Sequence, residues 1–243
     1  VTFLVTSDEE TGSASSRQVI EDEARRSAAV LVLEPSLPGG AVKTSRKGCG
    51  QYAVRTRGIA AHAGIEPEKG ASAIHDLARL IALIVSWQDT ARGLTINVGT
   101  VTGGTRPNVV AESAESEVDV RVAAMTDADR IDALMRGLRS SDPRVTLEVT
   151  GGFDRPPLER TAGVAALYAQ AKEVAAELGR ELGEGGTGGG SDGNLTAAIG
   201  VPTLDGLGAV GGGAHAVGEY VDAAELPWRA ALVAGLLRRI LAS

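Results

Sequence analysis

The rhythm of apolar positions changes twice along this chain. Residues 1–6, VTFLVT, read as the interior of a β-strand that runs into Asp8, Glu9 and Glu10. A helix over SSRQVIEDEARRSA and a short apolar strand AVLVLEP follow, ending at Glu34 and Pro35. Strand, helix, strand predicts a parallel sheet with helices on its faces. From about Gly48 the pattern switches: QYAVRTRG alternates, and a helix then carries Ile74, Leu77, Ala78, Ile81 and Val85 on one stripe. LTINVGTV and AESEVDVRV alternate with period two, with Val118, Val120 and Val122 on one face. A helix capped by Thr126, with Ile131, Leu134, Met135 and Leu138 apolar, leads into a strand RVTLEVTG. This βαββαβ order over roughly 48–151 predicts a four-stranded sheet with two helices on one face.

The last third returns to the first style. A helix starts after Thr161 with Val164, Leu167, Tyr168, Ala171, Val174 and Leu178 apolar, and Gly179 stands at its C-terminal cap. The glycine-rich stretch GEGGTGGGSDGN precedes a helix LTAAIG, a short strand around PTLDGLG, a second glycine run up to His215, and a final helix. Asp222 and Glu225 sit at capping-box spacing before that helix. The predicted layout is an α/β domain interrupted by an inserted α+β domain, with boundaries at 1–47, 48–156 and 157–243.

With 43% apolar residues in 243, the chain has the material for a sizeable core. Its net charge of −7 and lack of a basic run argue against nucleic acid as a partner. Cys49 is the only cysteine, so any metal must be held by His, Asp or Glu. The strongly apolar run AALVAGLL is far shorter than the ~20 residues that span a bilayer. No basic, apolar leader precedes the first strand, so a cytoplasmic location is favoured unless a signal lies ahead of Val1.

Two neighbouring glutamates at a strand end, Glu9 and Glu10, suit a division of labour in which one addresses a metal and the other a water. The alternative is a solvated acidic turn. Glu34 lies at the carboxyl edge where open α/β sheets place ligands. His215 and His62 both sit among small residues in loops, where a ring has close access to a ligand, although most loop histidines are inert. Asn108, Arg121 and Arg155 are candidate carboxylate binders, since a guanidinium fork matches a carboxylate in two hydrogen bonds. Arg121 reads equally well as an outward-facing strand residue. The glycine run lacks GxxxxGK[ST] and fits GxGxxG poorly, which leaves nucleotide binding weakly supported.

Taken in order, SDEETGS, LEP, GIAAHAG, RPNVVAESAESEVDVR, GGGSDGN and GAHAVGEYVD resemble the zinc carboxypeptidase family. That family includes glutamate carboxypeptidase, aminoacylase, acetylornithine deacetylase and succinyl-diaminopimelate desuccinylase. The resemblance covers essentially the whole chain and implies a zinc-exopeptidase-type catalytic domain interrupted by a lid or dimerisation domain. It implies a metal-dependent hydrolase cleaving an amide bond next to a free carboxylate, with a small N-acyl amino acid or peptide as substrate. It further implies a homodimer formed through the lid. By position, Glu9 would be the general base and Glu10 and His215 would bind one zinc. Glu34 would bind the other, and His62 would stabilise the oxyanion. Asn108, Arg121, Arg155 and Gly190 would face the substrate.

The family's upstream histidine–x–aspartate motif has no counterpart among His62, His75 and His215. The resemblance therefore implies a chain that begins within a longer catalytic domain and an incomplete two-zinc centre. An aminoacylase or deacetylase, or a non-catalytic ligand-binding or dimerising remnant, are the alternative readings.

Overall fold

A computed structural model describes residues 1–242. In chain order its elements are α1 (Arg17–Arg25), β1 (Val30–Leu31), β2 (Val42–Arg46), β3 (Gly48–Arg57), α2 (Ala73–Val85), β4 (Thr95–Gly103), β5 (Ser113–Val122) and α3 (Met125–Gly137). There follow β6 (Thr146–Arg155), α4 (Ala162–Glu177), β7 (Glu184–Thr187), α5 (Asp192–Ala198), β8 (Thr203–Leu204), β9 (Gly211–Gly212), β10 (Tyr220–Val221) and α6 (Leu226–Ala242). The chain divides into two compact units. The unit that the resemblance makes the catalytic-type unit joins Val1–Gly48 to the chain from Arg155 onward, and an inserted unit spans Cys49–Asp154.

The inserted unit is a four-stranded sheet in the order β4, β5, β3, β6. Strands β4 and β5 run antiparallel from Thr95 opposite Arg121 to Gly103 opposite Ala114. Along β5, Ala114, Ser116, Val118, Val120 and Val122 are buried while Glu115, Glu117, Asp119 and Arg121 are not. That period-two face packs under α2 and α3, where Leu77, Leu80, Ile84, Ile131 and Met135 complete the core. Each fully buried aliphatic side chain contributes about 1.5–3 kcal/mol. The stripe of α2 is rotated from the predicted one, with Ala73, Leu77, Leu80 and Ile84 buried and Ile74 and Val85 exposed. The run LARLIALIV is apolar on more than one side, so periodicity alone does not fix the buried stripe. Asp76 helps to set the rotation, because its carboxylate is 1% exposed and accepts from Ser141 N and Oγ at 2.8 and 2.6 Å. Thr126 is not the cap of α3: the N-cap is Ala124, without a side-chain bond, and Thr126 lies in the first turn.

In the catalytic-type unit β1 and β8 are parallel neighbours, and so are β2 and β7. A single bridge, Lys43 opposite Asp205, links the two pairs. Helices α4 and α6 pack together over Val42, Leu204 and Leu207, with Leu167, Val174, Leu232 and Leu236 interleaved. A second bridge, Arg46 opposite Leu158, closes the chain where the inserted unit leaves and re-enters, with N–H to carbonyl distances of 2.9 and 3.1 Å.

Three expectations fail in this unit. Val1–Thr6 is not a strand, and Val1, Phe3 and Val5 are exposed, because no neighbouring strand offers their backbone a ladder. Strands β2 and β7 arise from KTSR and EGGT, segments with little apolar pattern, and owe their order to partners distant in sequence. Asp222 accepts from Ala224 N at 3.0 Å in a turn, and α6 starts only at Leu226. The capping box belongs instead to α5, between Ser191 and Asn194.

Candidate active site

Glu9 stands in a short 3-10 turn, Glu9–Thr11, that the sequence builds tightly. Asp8 accepts from Ser15 N and Oγ at 2.9 and 2.6 Å and from Ser16 N at 3.2 Å. Those donors hold its carboxyl well below the usual carboxylate range. Gly12 and Ser13 then turn through left-handed backbone at φ 98° and 57°. Such a conformation is unfavourable for serine, and its compensation is specific. Ser13 is fully buried, donates to Asp192 and accepts from Arg155 Nη2 at 3.0 Å. Arg155 also donates to the Glu9 carbonyl at 2.9 Å and to Asp192 Oδ1 at 3.2 Å, and it lies 3.3 Å from Glu9 Oε1. The brace holds the Glu9 carboxylate three-quarters covered. Burial pushes its pKa up, opposed by Arg155 and reinforced by Glu34, Asp192 and Glu10.

Glu34 follows β1 at the carboxyl edge of the β1 and β8 pair. Its carbonyl accepts from Gly208 N at 2.9 Å, and a Cβ at Gly208 would lie 2.1 Å from the Leu33 carbonyl, so only glycine fits there. Arg229, 3% exposed, fastens this loop by donating to the carbonyls of Gly208 and Gly40 at 2.9 and 2.8 Å and to that of Gly206. Burial raises the Glu34 pKa, and Arg46, whose Nη2 is 3.7 Å away, pulls it down.

Arg46 is itself buried and grips Asp205 in a two-point pair at 2.8 and 2.9 Å, while Nη1 donates to the carbonyls of Gly189 and Gly190 at 3.1 and 3.0 Å. Asp205, 0% exposed, also accepts from Ser191 Oγ at 2.6 Å. The glycine run is therefore an anchored loop at the start of α5 rather than a linker. Sequence reasoning singled out none of Ser13, Arg46, Asp192 and Asp205, although Ser13 and Asp192 lie within SDEETGS and GGGSDGN.

Glu10 and His215 come together with Oε2 and Nε2 3.9 Å apart, both side chains more than three-quarters exposed. Two ligands of a tetrahedral zinc stand about 3.4 Å apart, given bonds of about 2.1 Å, so this pair has the chemistry and nearly the spacing of half a site. Glu34 does not join them in a ligand cluster. Among the described residues no group of three or more His, Cys, Asp and Glu side chains is placed to hold a metal. The donors present do not make up a complete dinuclear centre.

In the inserted unit His62 and Asn108 lie on adjacent chain segments. His62 bridges Val109, and Ala63 N donates to the Asn108 carbonyl at 3.0 Å. Gly64 N donates to His62 Nδ1 at 3.2 Å. That bond requires a bare Nδ1 and assigns the proton of the neutral ring to the exposed Nε2. Arg121 is held in a two-point pair by Asp119 at 2.9 and 2.8 Å and also contacts Cys49. Like Arg155, it is engaged by groups of the protein itself. No helix among the described residues is long and apolar enough to cross a membrane.

Comparison with known proteins adds a lineage to this geometry. Residues 44–154 match the family described as the peptidase dimerisation domain. The chain is 32% identical over 242 residues to carboxypeptidase G2 of Pseudomonas sp. (strain RS-16), covering 98% of this chain and 58% of that protein. It is 31% identical over 133 residues to a probable carboxypeptidase of Arthroderma otae, covering 48% of this chain and 29% of that one. The chain thus spans less than two thirds of the relatives it matches. Among solved structures, aminopeptidase PepT of Bacillus cereus superposes with a TM-score of 0.80 at 24% identity, over 97% of this chain and 63% of that one. A dinuclear metal-binding peptidase of the M20 family from Bacillus subtilis does so with a TM-score of 0.72 at 18% identity, also over 97% and 63%. At those identities the likeness speaks for the fold.

Proposed function

Because residues 44–154 are an M20 peptidase dimerisation domain and the chain is a homologue of carboxypeptidase G2, we propose that the catalytic-type unit serves to hydrolyse an amide bond next to a free carboxylate. The substrate is a small N-acyl amino acid or peptide. One observation carries the reading: the Glu9 carboxylate is about three-quarters covered, 3.3 Å from Arg155, and within electrostatic reach of Glu10 and Glu34. In this role Glu9 takes the proton of the attacking water and returns it to the leaving nitrogen. His62 has the developing oxyanion as its partner, on the strength of its fixed Nε2 donor. Asn108, Arg121 and Gly190 are the remaining substrate-facing residues of the proposal, with Arg155 bracing the base. Glu10 and His215 are the side chains open to a zinc ion, and Glu34 is a carboxylate near them.

An N-acyl-glutamate tests the proposal. Hydrolysis that a chelator abolishes and added zinc restores is the expected result, and turnover indifferent to chelation sinks the metal-dependent reading. The incomplete donor set favours one second reading, a unit that binds the same compound without turning it over. Calorimetric binding without any product would select it. An aminoacylase or deacetylase differs only in pocket shape, and a comparison of acyl groups separates the three.

The dimerisation domain supports a homodimer. Exposed Ile74, Leu83 and Val85 on α2 and Val101 on β4 offer apolar surface for the contact. Light scattering at micromolar concentration should return twice the chain mass, and a monomer there removes the dimer from the proposal.

A further inference from the structure

Strand β2 carries an irregularity with a chemical consequence. Its pairing with β7 runs Val42 to Glu184, Lys43 to Gly185, Ser45 to Gly186 and Arg46 to Thr187, so Thr44 is an extra residue. Side chains alternate faces along a strand, and one extra residue resets the alternation. Lys43 and Arg46, three apart in sequence, therefore share a face, while Val42 is fully buried in the apolar core. Two acids act on that face, since Asp205 and Glu34 are both within electrostatic reach of Lys43.

The four charges are not equally satisfied. Arg46 has Asp205 and two carbonyls, Asp205 has Arg46 and Ser191, and Glu34 has its ion pair with Arg46. Lys43 is 9% exposed, and its stem lies so close over Gly206 that a Cβ there would approach Lys43 Cγ to 3.0 Å. An ammonium carries three donors, and no described residue accepts any of them. The stem is packed while Nζ still touches solvent, so the ammonium is open to an incoming acceptor. A carboxylate answers it better than a neutral carbonyl, because charge-assisted bonds are about twice as strong.

We propose that Lys43 is a substrate-binding residue, donating to a carboxylate oxygen of a ligand seated beside Glu34 at the carboxyl ends of β1 and β8. The kind of ligand, an N-acyl amino acid, rests on the hydrolase reading above. The contact itself rests on the bulge and the unanswered ammonium.

The full chain has four lysines, Lys43, Lys47, Lys69 and Lys172, so reductive methylation with a carbon-13 label gives a short, assignable NMR spectrum. Lys43→Arg identifies the Lys43 signal by its loss. Titration with N-acetyl-L-glutamate should move that signal saturably and leave exposed Lys172 unmoved, and the corresponding diamide, without carboxylates, should move neither. Lys43→Met should weaken binding about tenfold or more, with Lys43→Arg keeping most of it. The proposal is overturned if the compound does not bind, if it binds with the Lys43 signal unmoved, or if the diamide moves that signal equally. Turnover with an unmoved signal would remove Lys43 and leave the hydrolase standing. A moved signal without turnover would do the reverse.

Discussion

Changing Glu9 to glutamine should lower the turnover of an N-acyl amino acid by roughly two to four orders of magnitude while leaving the fold intact. Glutamine has the shape of glutamate and cannot accept the proton. The substitution spares the scaffold for a reason visible in the brace. Arg155 loses one charged neighbour at 3.3 Å, yet it keeps the Glu9 carbonyl, Ser13 Oγ and Asp192. No buried guanidinium is orphaned, so the melting temperature should stay within a few degrees of the parent, whereas Arg155→Met removes the support of a strained turn and should not be so mild. Product release gives the first quantity and circular dichroism on heating the second. A loss of turnover below tenfold would take the general base away from Glu9.

The largest effect on stability is expected from Asp205→Ala. Asp205 is 0% exposed and its two oxygens hold Arg46, whose side chain is 4% exposed. Removing Asp205 leaves the buried Arg46 with only the Gly189 and Gly190 carbonyls and Glu34 at 3.7 Å, and breaking a buried pair in this way costs up to about 3–5 kcal/mol. For a chain of this size that lowers the melting temperature by on the order of 10 °C. The pair is not thereby a net source of stability, since an apolar replacement of both partners is often neutral. Arg46→Met combined with Asp205→Leu should therefore recover much of the loss. Equilibrium denaturation of the three variants decides the matter, and a double variant less stable than Asp205→Ala would contradict the account.

The inserted unit was legible because its strands are long and one face of the sheet is buried, so apolar period and structure coincide along Val118, Val120 and Val122. The stripe of α2 was misread by one position because its apolar residues go most of the way round. Strand β2 escaped notice because KTSR is polar. Its partners lie far along the chain, since it pairs with β7 and Arg46 reaches Asp205 across 159 residues. Of the candidate acids, Glu34 stands just past a strand end as read, whereas Glu9 and Glu10 follow a segment that is not a strand and were legible through SDEETGS. Ser13 was not singled out, because its importance comes from Asp192, 179 residues away. Arg155 was legible as a cation, but not that the protein's own groups would engage it. Local pattern, in short, carries side-chain type and period, whereas the partner of a buried charge is set by the fold.

The bridge between Arg46 and Leu158 makes a closed neck in the catalytic-type unit. The inserted unit, Cys49–Asp154, leaves and returns through that neck as a single loop. The entropy of closing a loop grows only with the logarithm of its length, about 0.6 kcal/mol for each doubling. The framework below the neck is thus almost indifferent to the size of its cargo. It asks of any cassette spliced there only that the two ends emerge side by side.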